Sequence, residues 1–469
     1  MTGANLVPGS VFHPIADSFD LLKGCGMVTM QQGHTWREIL GSGKDILMKV
    51  TEPDFANNIA VSWPNTVSGG YLDSFTSWGP TWEVDVKPQI AAPGGSILST
   101  WPLKLGAYAV ASGTSMATPL TAAIYALLME SRGIKDPRIL TSFLSSTAQR
   151  KPFYDGTNVM DGIAPVPQQG AGLIQAYDAA HSETIVSPSS ISFNDTANFI
   201  GNTSFTITNK GSVDLTYDLG HDAALTMYTW DDALYPASFP NTIADGASAT
   251  LSFSQTRITI PPGGSADVRV SVSPPIGLNE TRVPVYSGYI TLLVSNGESL
   301  AVPYLGAVGS LYSAPTLLDP SWVFVIHYND YSLTPAPAND TWTLPYPTTP
   351  VLPIDAPVID MPAAVIQLDA GTPMIRCDIV PIGATNASTT QILGAEVAGS
   401  VGGFPAEWVP RRYFISPFTG MTQEGDVLPP GRYAFLVRAL KIFGDRNVIT
   451  DYETIKMVHF SIHYESDVP

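Results

Sequence analysis

A serine becomes a nucleophile when the backbone presents it at a helix start, where unbonded N–H groups and the positive dipole end favour the oxyanion its attack generates. The stretch Ser112-Gly113-Thr114-Ser115-Met116-Ala117-Thr118-Pro119 has the parts for such a turn. Gly113 admits the close approach of a carbonyl or a neighbouring strand, and Ser115 stands at the mouth. Pro119 suits a first helical turn that has no use for its missing N–H. Leu120, Ala123, Ile124, Leu127 and Leu128 then recur at helical spacing, while Ala122, Tyr125 and Ala126 leave almost no polar face. The spacing predicts a buried helix that holds its serine rigidly. As an ordinary strand-to-helix cap, the same residues would only satisfy backbone donors.

The whole run from Gly113 to Pro119 resembles the nucleophile motif of subtilisin-like serine proteases. Three further stretches resemble the same family in the same order. They are Phe75-Thr76-Ser77-Trp78-Gly79-Pro80, then Lys87-Pro88-Gln89-Ile90-Ala91-Ala92-Pro93-Gly94-Gly95, and then Gln168-Gln169-Gly170-Ala171-Gly172-Leu173. The resemblance thus covers most of the segment from about Ile59 to Ala180, and it implies hydrolysis of protein or peptide substrates through an acyl-enzyme on Ser115. The motif departs from the family where Leu120, Thr121 and Ala123 replace a histidine, a small or branched residue and a glycine, and where Gln89 replaces an acidic residue. That histidine is not catalytic in the family.

An active serine also needs an imidazole to take its proton and a carboxylate to orient the imidazole. In the family these partners lie upstream of the serine. Only His13 and His34 precede Ser115, and neither sits in the family's His-Gly-Thr helix start. No stretch resembles its Asp-x-Gly strand end, and Asn57, Asn58 and Asn65 lack the setting of its oxyanion-hole asparagine. His34 with Asp45 would be a substitute pair without the motif. The resemblance therefore implies a C-terminal portion of a longer enzyme, inactive alone, whose catalytic Asp and His are not on this chain. The alternative is a non-catalytic secreted glycoprotein or pseudoprotease whose β-sandwich domains bind a partner.

The 469 residues carry a formal charge of −18, a pI near 4.6 and only 14% charged residues. No basic cluster is present for phosphates, so nucleic acid is not the expected partner. No apolar run reaches the roughly 18 to 20 residues of a membrane span, and no membrane partner is expected. Met1 to Leu6 has neither the charged nor the apolar region of a secretory signal, so secretion is an expectation of the family resemblance. Five Asn-x-Ser/Thr sequons, at Asn194, Asn202, Asn279, Asn339 and Asn386, make glycosylation candidates. Cys25 and Cys377 are far apart and read as free buried thiols. Asp155 to Asp161 lacks the alternating carboxylates of a calcium loop and reads as polar surface. No metal or cofactor is expected.

The elements that must position Ser115 follow from period and punctuation. The fold expected is multidomain: a partial α/β subtilisin-like parallel sheet followed by two all-β sandwich (fibronectin-III-like) domains. Residues 1–53 read as the tail of a protease-associated-like insert, with a strand at Gly26 to Met30, a short helix at Thr35 to Leu40 and a strand through Ile46, Met48 and Val50. Residues 54–182 read as the C-terminal part of the peptidase domain, with an exposed apolar edge where central strands are absent. Its strands are Ile59 to Val61 and Gln89 to Ala91, and Asp136-Pro137 caps a second helix whose Ile139, Leu140, Phe143 and Leu144 share a face. A third helix follows Gly172.

From 183 to 312 the apolar period is two: Phe205 and Ile207, Leu251 and Phe253, Ile258 and Ile260, Val268 to Val272, Ile290 and Leu292. Asn296-Gly297 marks a hairpin. Pro284 to Ile290 with Val302 to Gly306 resembles the fibronectin-III-like domain of large secreted subtilisin-like proteases. Residues 313–362 read as a proline-rich connection, extended loop from Leu333 to Pro362. Residues 363–469 read as a second β-sandwich-like domain, an arrangement that resembles fungal extracellular enzymes. His459 and His463 alternate with Phe460 and Ile462 and read as solvent-facing, and Arg411-Arg412 reads as a solvated pair, with an ion-pair role as the alternative.

Overall fold

Helical period ahead of residue 182 and strand period after it divide the molecule. A computed structural model describes residues 30–47, 69–317, 319–328, 333–352, 359–383 and 386–465. Helix α1 (Met30–Gly41) covers the expected short helix and begins five residues earlier, so Met30 is helical rather than the end of a strand. Cys25, His13, the strand at Ile59 to Val61 and residues 48–50 lie outside the described residues.

The nucleophile segment is a hairpin followed by helices. Strands β1 (Ile97–Thr100) and β2 (Tyr108–Ala111) pair antiparallel, and β2 leads into helix α2 (Thr114–Arg132). Helix α3 (Pro137–Ser146) starts where Asp136 accepts the N–H of Arg138 on Oδ1 at 2.9 Å. A short hairpin joins β3 (Pro152–Tyr154) to β4 (Val159–Ile163), and α4 (Val166–Gln169) and α5 (Ala176–His181) follow. Ile124, Leu128, Leu140, Phe143, Leu144, Ile174 and Ala179 form the core of this layer. The guanidinium of Arg132 lies 3.6 Å over the Phe143 ring and donates to the carbonyls of Ala179 and Ser182, tying α2 to α5.

Two expectations for this segment are overturned. Helix α2 is not buried: only Ile124 and Leu128 are, while Leu120, Leu127 and Met129 face solvent. An apolar period reports what a helix could bury, and nothing among the described residues covers this side. The doubly wound parallel sheet is also missing from the described residues. Residues 89–91 contribute one parallel bridge, Ala91 to Leu173, and the two hairpins are antiparallel. Leu98, Trp101, Leu103, Leu105, Tyr108 and Val110 are exposed on the β1–β2 hairpin.

Between residues 184 and 307 the alternating residues build two sheets over one core. Thr250–Phe253, Ser265–Ser273, Asn202–Asn209 and Thr184–Ser187 form one in that order. Arg257–Ile260, Leu215–Ala223, Pro284–Val294, Ser299–Ala307 and Ile191–Ser192 form the other, with Met227–Tyr228 beside Pro284–Val294. Phe205, Ile207, Val268 and Val270 of the first meet Tyr217, Tyr286, Ile290 and Tyr304 of the second. Gly297, at φ 94°, closes the Asn296-Gly297 hairpin.

This unit is bonded to the nucleophile segment. Tyr289 Oη donates to Gly170 O at 2.8 Å, Val166 N–H donates to Ser287 Oγ at 3.0 Å, and Ser192 Oγ donates to Val84 O at 2.7 Å. Val84 is fully buried despite its left-handed φ of 64°. A β-branched residue holds that conformation only when its surroundings demand it.

The last unit also has two sheets sharing a core. Val323–His327, Pro362–Gln367 and Tyr413–Pro417 make one. Asp340–Leu344, Phe460–Tyr464, Gly431–Leu440, Thr372–Pro381 and Ala406–Val409 make the other, with Tyr452–Lys456 beside Gly431–Leu440. The passage read as extended loop from Leu333 to Pro362 therefore contains a strand, Asp340–Leu344, and Val323–His327 also lies within 313–362. Trp342 and Leu344 alternate inward with Thr341 and Thr343 outward, and that burial outweighs the surrounding prolines.

Candidate active site

The turn carrying Ser115 is held by backbone contact with residues 94–96. Gly113 N–H donates to Gly94 O at 2.9 Å, and Ser96 N–H donates to Ser112 Oγ at 2.8 Å. Gly94 is buried so closely that a Cβ there would lie 2.8 Å from Gly113 O and 3.3 Å from the Ala117 Cβ. Only a residue without a side chain fits the contact that aims the turn.

Thr114 begins α2, and Met116 N–H donates to Gly113 O at 3.0 Å. The N–H groups of Thr114 and Ser115 have no hydrogen-bond acceptor among the described residues. Two unbonded donors thus lie at the dipole-positive start of α2 beside the exposed Ser115 side chain, where an oxyanion would be favoured. Thr118 Oγ1 donates back to Thr114 O at 2.9 Å.

Pro119 lies one turn deeper than expected, inside the helix and four residues after Ser115. There its missing N–H leaves the Ser115 carbonyl without the usual helical donor.

Among the described residues no base accompanies this donor geometry. Among the described residues, no hydrogen bond reaches Ser115 Oγ. His34 is exposed on α1, and Asp45 is exposed beyond it with no bond between them. His181 uses Nδ1 on Tyr177 O at 2.8 Å. His221 is bonded through Nε2 to the Tyr304 hydroxyl, and burial pushes its pKa down. His327 is held between Asp340 and Asp360. His459 is half-buried and His463 exposed at the last strand. Asn57, Asn58, Asn65 and His13 lie outside the described residues.

One neighbour of the turn carried no sequence signal. A Cβ at Gly95 would lie 2.5 Å from Asp73 Oδ2, so this carboxyl packs against the segment that bonds to Gly113. Its burial raises its pKa. A lone acid between Leu72 and Phe75 offers no spacing by which to find it.

The other candidates are dispersed. Asn202, Asn279, Asn339 and Asn386 are exposed and Asn194 is half-buried, all remote in sequence from Ser115. The Asp155 carboxylate accepts the N–H groups of Thr157 and Asn158, and these bonds hold its pKa down. Cys377 is a free, buried thiol, its pKa driven up by burial. Among the described residues no group of three His, Cys, Asp or Glu side chains is placed to hold a metal ion.

Comparison with known proteins matches two stretches of the chain. Residues 38–172 match the Subtilase family and residues 191–305 match the Fn3-like domain. A PII-type proteinase of Lactococcus lactis subsp. cremoris is 29% identical over 266 residues, covering 51% of this chain and 13% of that protein. A C5a peptidase of Streptococcus pyogenes serotype M1 is 27% identical over 271 residues, covering 54% of this chain and 22% of that protein. The chain thus spans less than a quarter of the length of these relatives. It carries a subtilase segment containing Ser115 and, after it, an Fn3-like domain.

Proposed function

We propose that this chain is the nucleophile-bearing part of a secreted, multidomain subtilisin-like serine endopeptidase. The observation that carries the reading is Ser115, exposed on the first turn of α2 beside two unbonded N–H groups, within the segment that matches the Subtilase family. In the reaction, Ser115 Oγ attacks the scissile carbonyl of a protein substrate. The Ser115 N–H donates to the resulting oxyanion, the departing amine takes the proton Ser115 has lost, and water releases the acyl group. The base that carries the proton and the carboxylate that orients it are not among the described residues. The chain alone is therefore without turnover, since removing the base from such a triad leaves little beyond oxyanion stabilisation and binding.

The finer plan belongs to the same reading. An insert tail lies within residues 1–53, peptidase residues fill 54–182, and sandwiches follow at 183–312 and 363–469, as in fungal extracellular enzymes. Asn194, Asn202, Asn279, Asn339 and Asn386 are its glycan acceptors. The test is hydrolysis of denatured casein by the purified chain and by Ser115→Ala. Indistinguishable, background-level traces support the reading. Cleavage that disappears with Ser115→Ala overturns the proposed dependence on a base from elsewhere.

A further inference from the structure

We propose that Asn296 is a site of spontaneous deamidation, and that its conversion to aspartate or isoaspartate unlatches the Fn3-like unit from the segment that carries Ser115. Asn296-Gly297 is the one Asn-Gly pair in the sequence. It lies at the exposed tip of the hairpin between Pro284–Val294 and Ser299–Ala307.

The chemistry needs only water. The main-chain nitrogen of Gly297 attacks Cγ of Asn296, the new N–Cγ bond closes a succinimide ring, and the Cγ–Nδ2 bond breaks as the Gly297 proton leaves with ammonia. Hydrolysis at one ring carbonyl gives aspartate and at the other isoaspartate. Glycine favours the step because no side chain hinders its nitrogen. Gly297 N–H is held by Val294 O at 2.9 Å, so the turn opens before it reacts. Opening of that size at an exposed loop tip costs far less than global unfolding.

The amide that is lost holds a latch. Asn296 Nδ2 donates to Glu298 Oε1 at 2.9 Å and to Glu183 Oε2 at 3.4 Å, and Asn296 Oδ1 accepts the N–H of Glu298 at 3.1 Å. Glu298 in turn accepts the N–H of Glu183 on Oε1 at 2.8 Å and the Ser182 hydroxyl on Oε2 at 2.9 Å. Residues 182–183 join α5 to Thr184–Ser187, the first strand of the sandwich. Arg132, the last residue of α2, donates to Ser182 O at 2.7 Å. The hairpin tip therefore grips the connection at the point where the nucleophile helix is tied to it.

Deamidation turns two attractions into repulsions. An oxygen replaces Nδ2 between the carboxylates of Glu183 and Glu298, and like charges at hydrogen-bond distance oppose one another. The Arg132 guanidinium feels the charge of Glu298 but spends its own bonds on the carbonyls of Ala179 and Ser182. Isoaspartate also adds a methylene to the main chain immediately before Gly297, which displaces the Glu298 carboxylate from Ser182 and Glu183.

Two measurements on the full chain test the proposal: peptide mapping after ageing in mildly alkaline buffer, by mass spectrometry that separates aspartate from isoaspartate, and amide hydrogen exchange across residues 182–184. We expect Asn296 to be modified ahead of every other asparagine, and aged Asn296→Gln to keep the exchange of the fresh variant. Fresh Asn296→Asp should exchange at 182–184 about ten-fold faster than the parent, the worth of one hydrogen bond to a charged group. Asn296→Asp/Glu183→Gln should recover most of that protection. Parent-like exchange at Phe205 and Ile207 in the sandwich core would show that each variant is folded. Asn296 intact after ageing, another asparagine modified first, parent-like exchange at 182–184 in Asn296→Asp, or no recovery with Glu183→Gln would overturn the proposal.

Discussion

Gly113 hangs from Gly94: one N–H to carbonyl bond of 2.9 Å joins them, and no side chain fits between the two segments. The nucleophile's position is therefore set by a backbone contact twenty residues upstream of the helix it begins. Gly94→Ala would place its Cβ 2.8 Å from a carbonyl oxygen, so the turn must shift. We expect a loss of about 1–3 kcal/mol in chemical denaturation. Gly133→Ala, with open space around it but a left-handed φ of 65°, should instead show only a backbone cost of about 1 kcal/mol.

His327 gives the last unit a pH window. Its Nε2 lies 2.9 Å from Asp340 Oδ2 and its Nδ1 3.0 Å from both Asp360 oxygens, joining the two sheets. Burial alone would lower its pKa, but hydrogen bonds to Asp340 and Asp360 and their charges outweigh that, and the pKa is raised. The bond to His327 also lowers the Asp340 pKa.

A raised histidine pKa contributes stability that is present below the ordinary value of about 6.5 and lost as pH rises through the folded value. A lowered aspartate pKa contributes stability that is lost as pH falls through its folded value. Melting temperature should therefore fall at both ends of a mildly acidic plateau, and His327→Gln should remove the alkaline decline. A parent profile flat from pH 5 to 9 would contradict this.

Asp378 is the buried anion of the last unit. It receives two bonds from Arg376, at 3.0 and 2.8 Å, one from Ser400 Oγ at 3.0 Å and one from Arg438 at 3.4 Å. Arg438 also donates to the carbonyls of Ile392 and Leu393, pinning the 390–397 hairpin to the sheet. Asp378→Ala leaves two guanidiniums with little exposure and no counterion. Removing one member of such a network costs about 3–5 kcal/mol, which equilibrium unfolding should register.

Trp82 stacks on Trp408 at 5.6 Å with a 4° interplanar angle, linking the nucleophile segment to the last unit. A Cβ at Gly371 would overlap the Trp82 indole. Gly371→Ala and Trp408→Ala should both speed proteolytic cleavage between the units while leaving their own cores folded. Parent-like digestion of both variants would refute the link.

The β-rich units were the most legible part of the sequence, because alternation at Phe205 and Ile207 or Val268 and Val270 has a single structural meaning once one face is buried. Asp136-Pro137 likewise announced α3. Alternation of Trp342 and Leu344 was masked by neighbouring prolines. The exposure of Leu127 on α2 was not readable, because periodicity describes a helix and not its neighbours. The serine turn was legible as a motif, whereas its support was not. Gly94 meets Gly113, and His327 meets Asp340 and Asp360, across separations that no local pattern encodes.

The central claim is that Ser115 is positioned for attack and lacks a base. Mass spectrometry of fluorophosphonate adducts, with and without added imidazole as a surrogate base, measures both halves directly. The account predicts no adduct in buffer and an adduct confined to Ser115 once imidazole is supplied. Stoichiometric modification of Ser115 without imidazole would contradict the missing base, and no Ser115 adduct under either condition would contradict the positioned nucleophile.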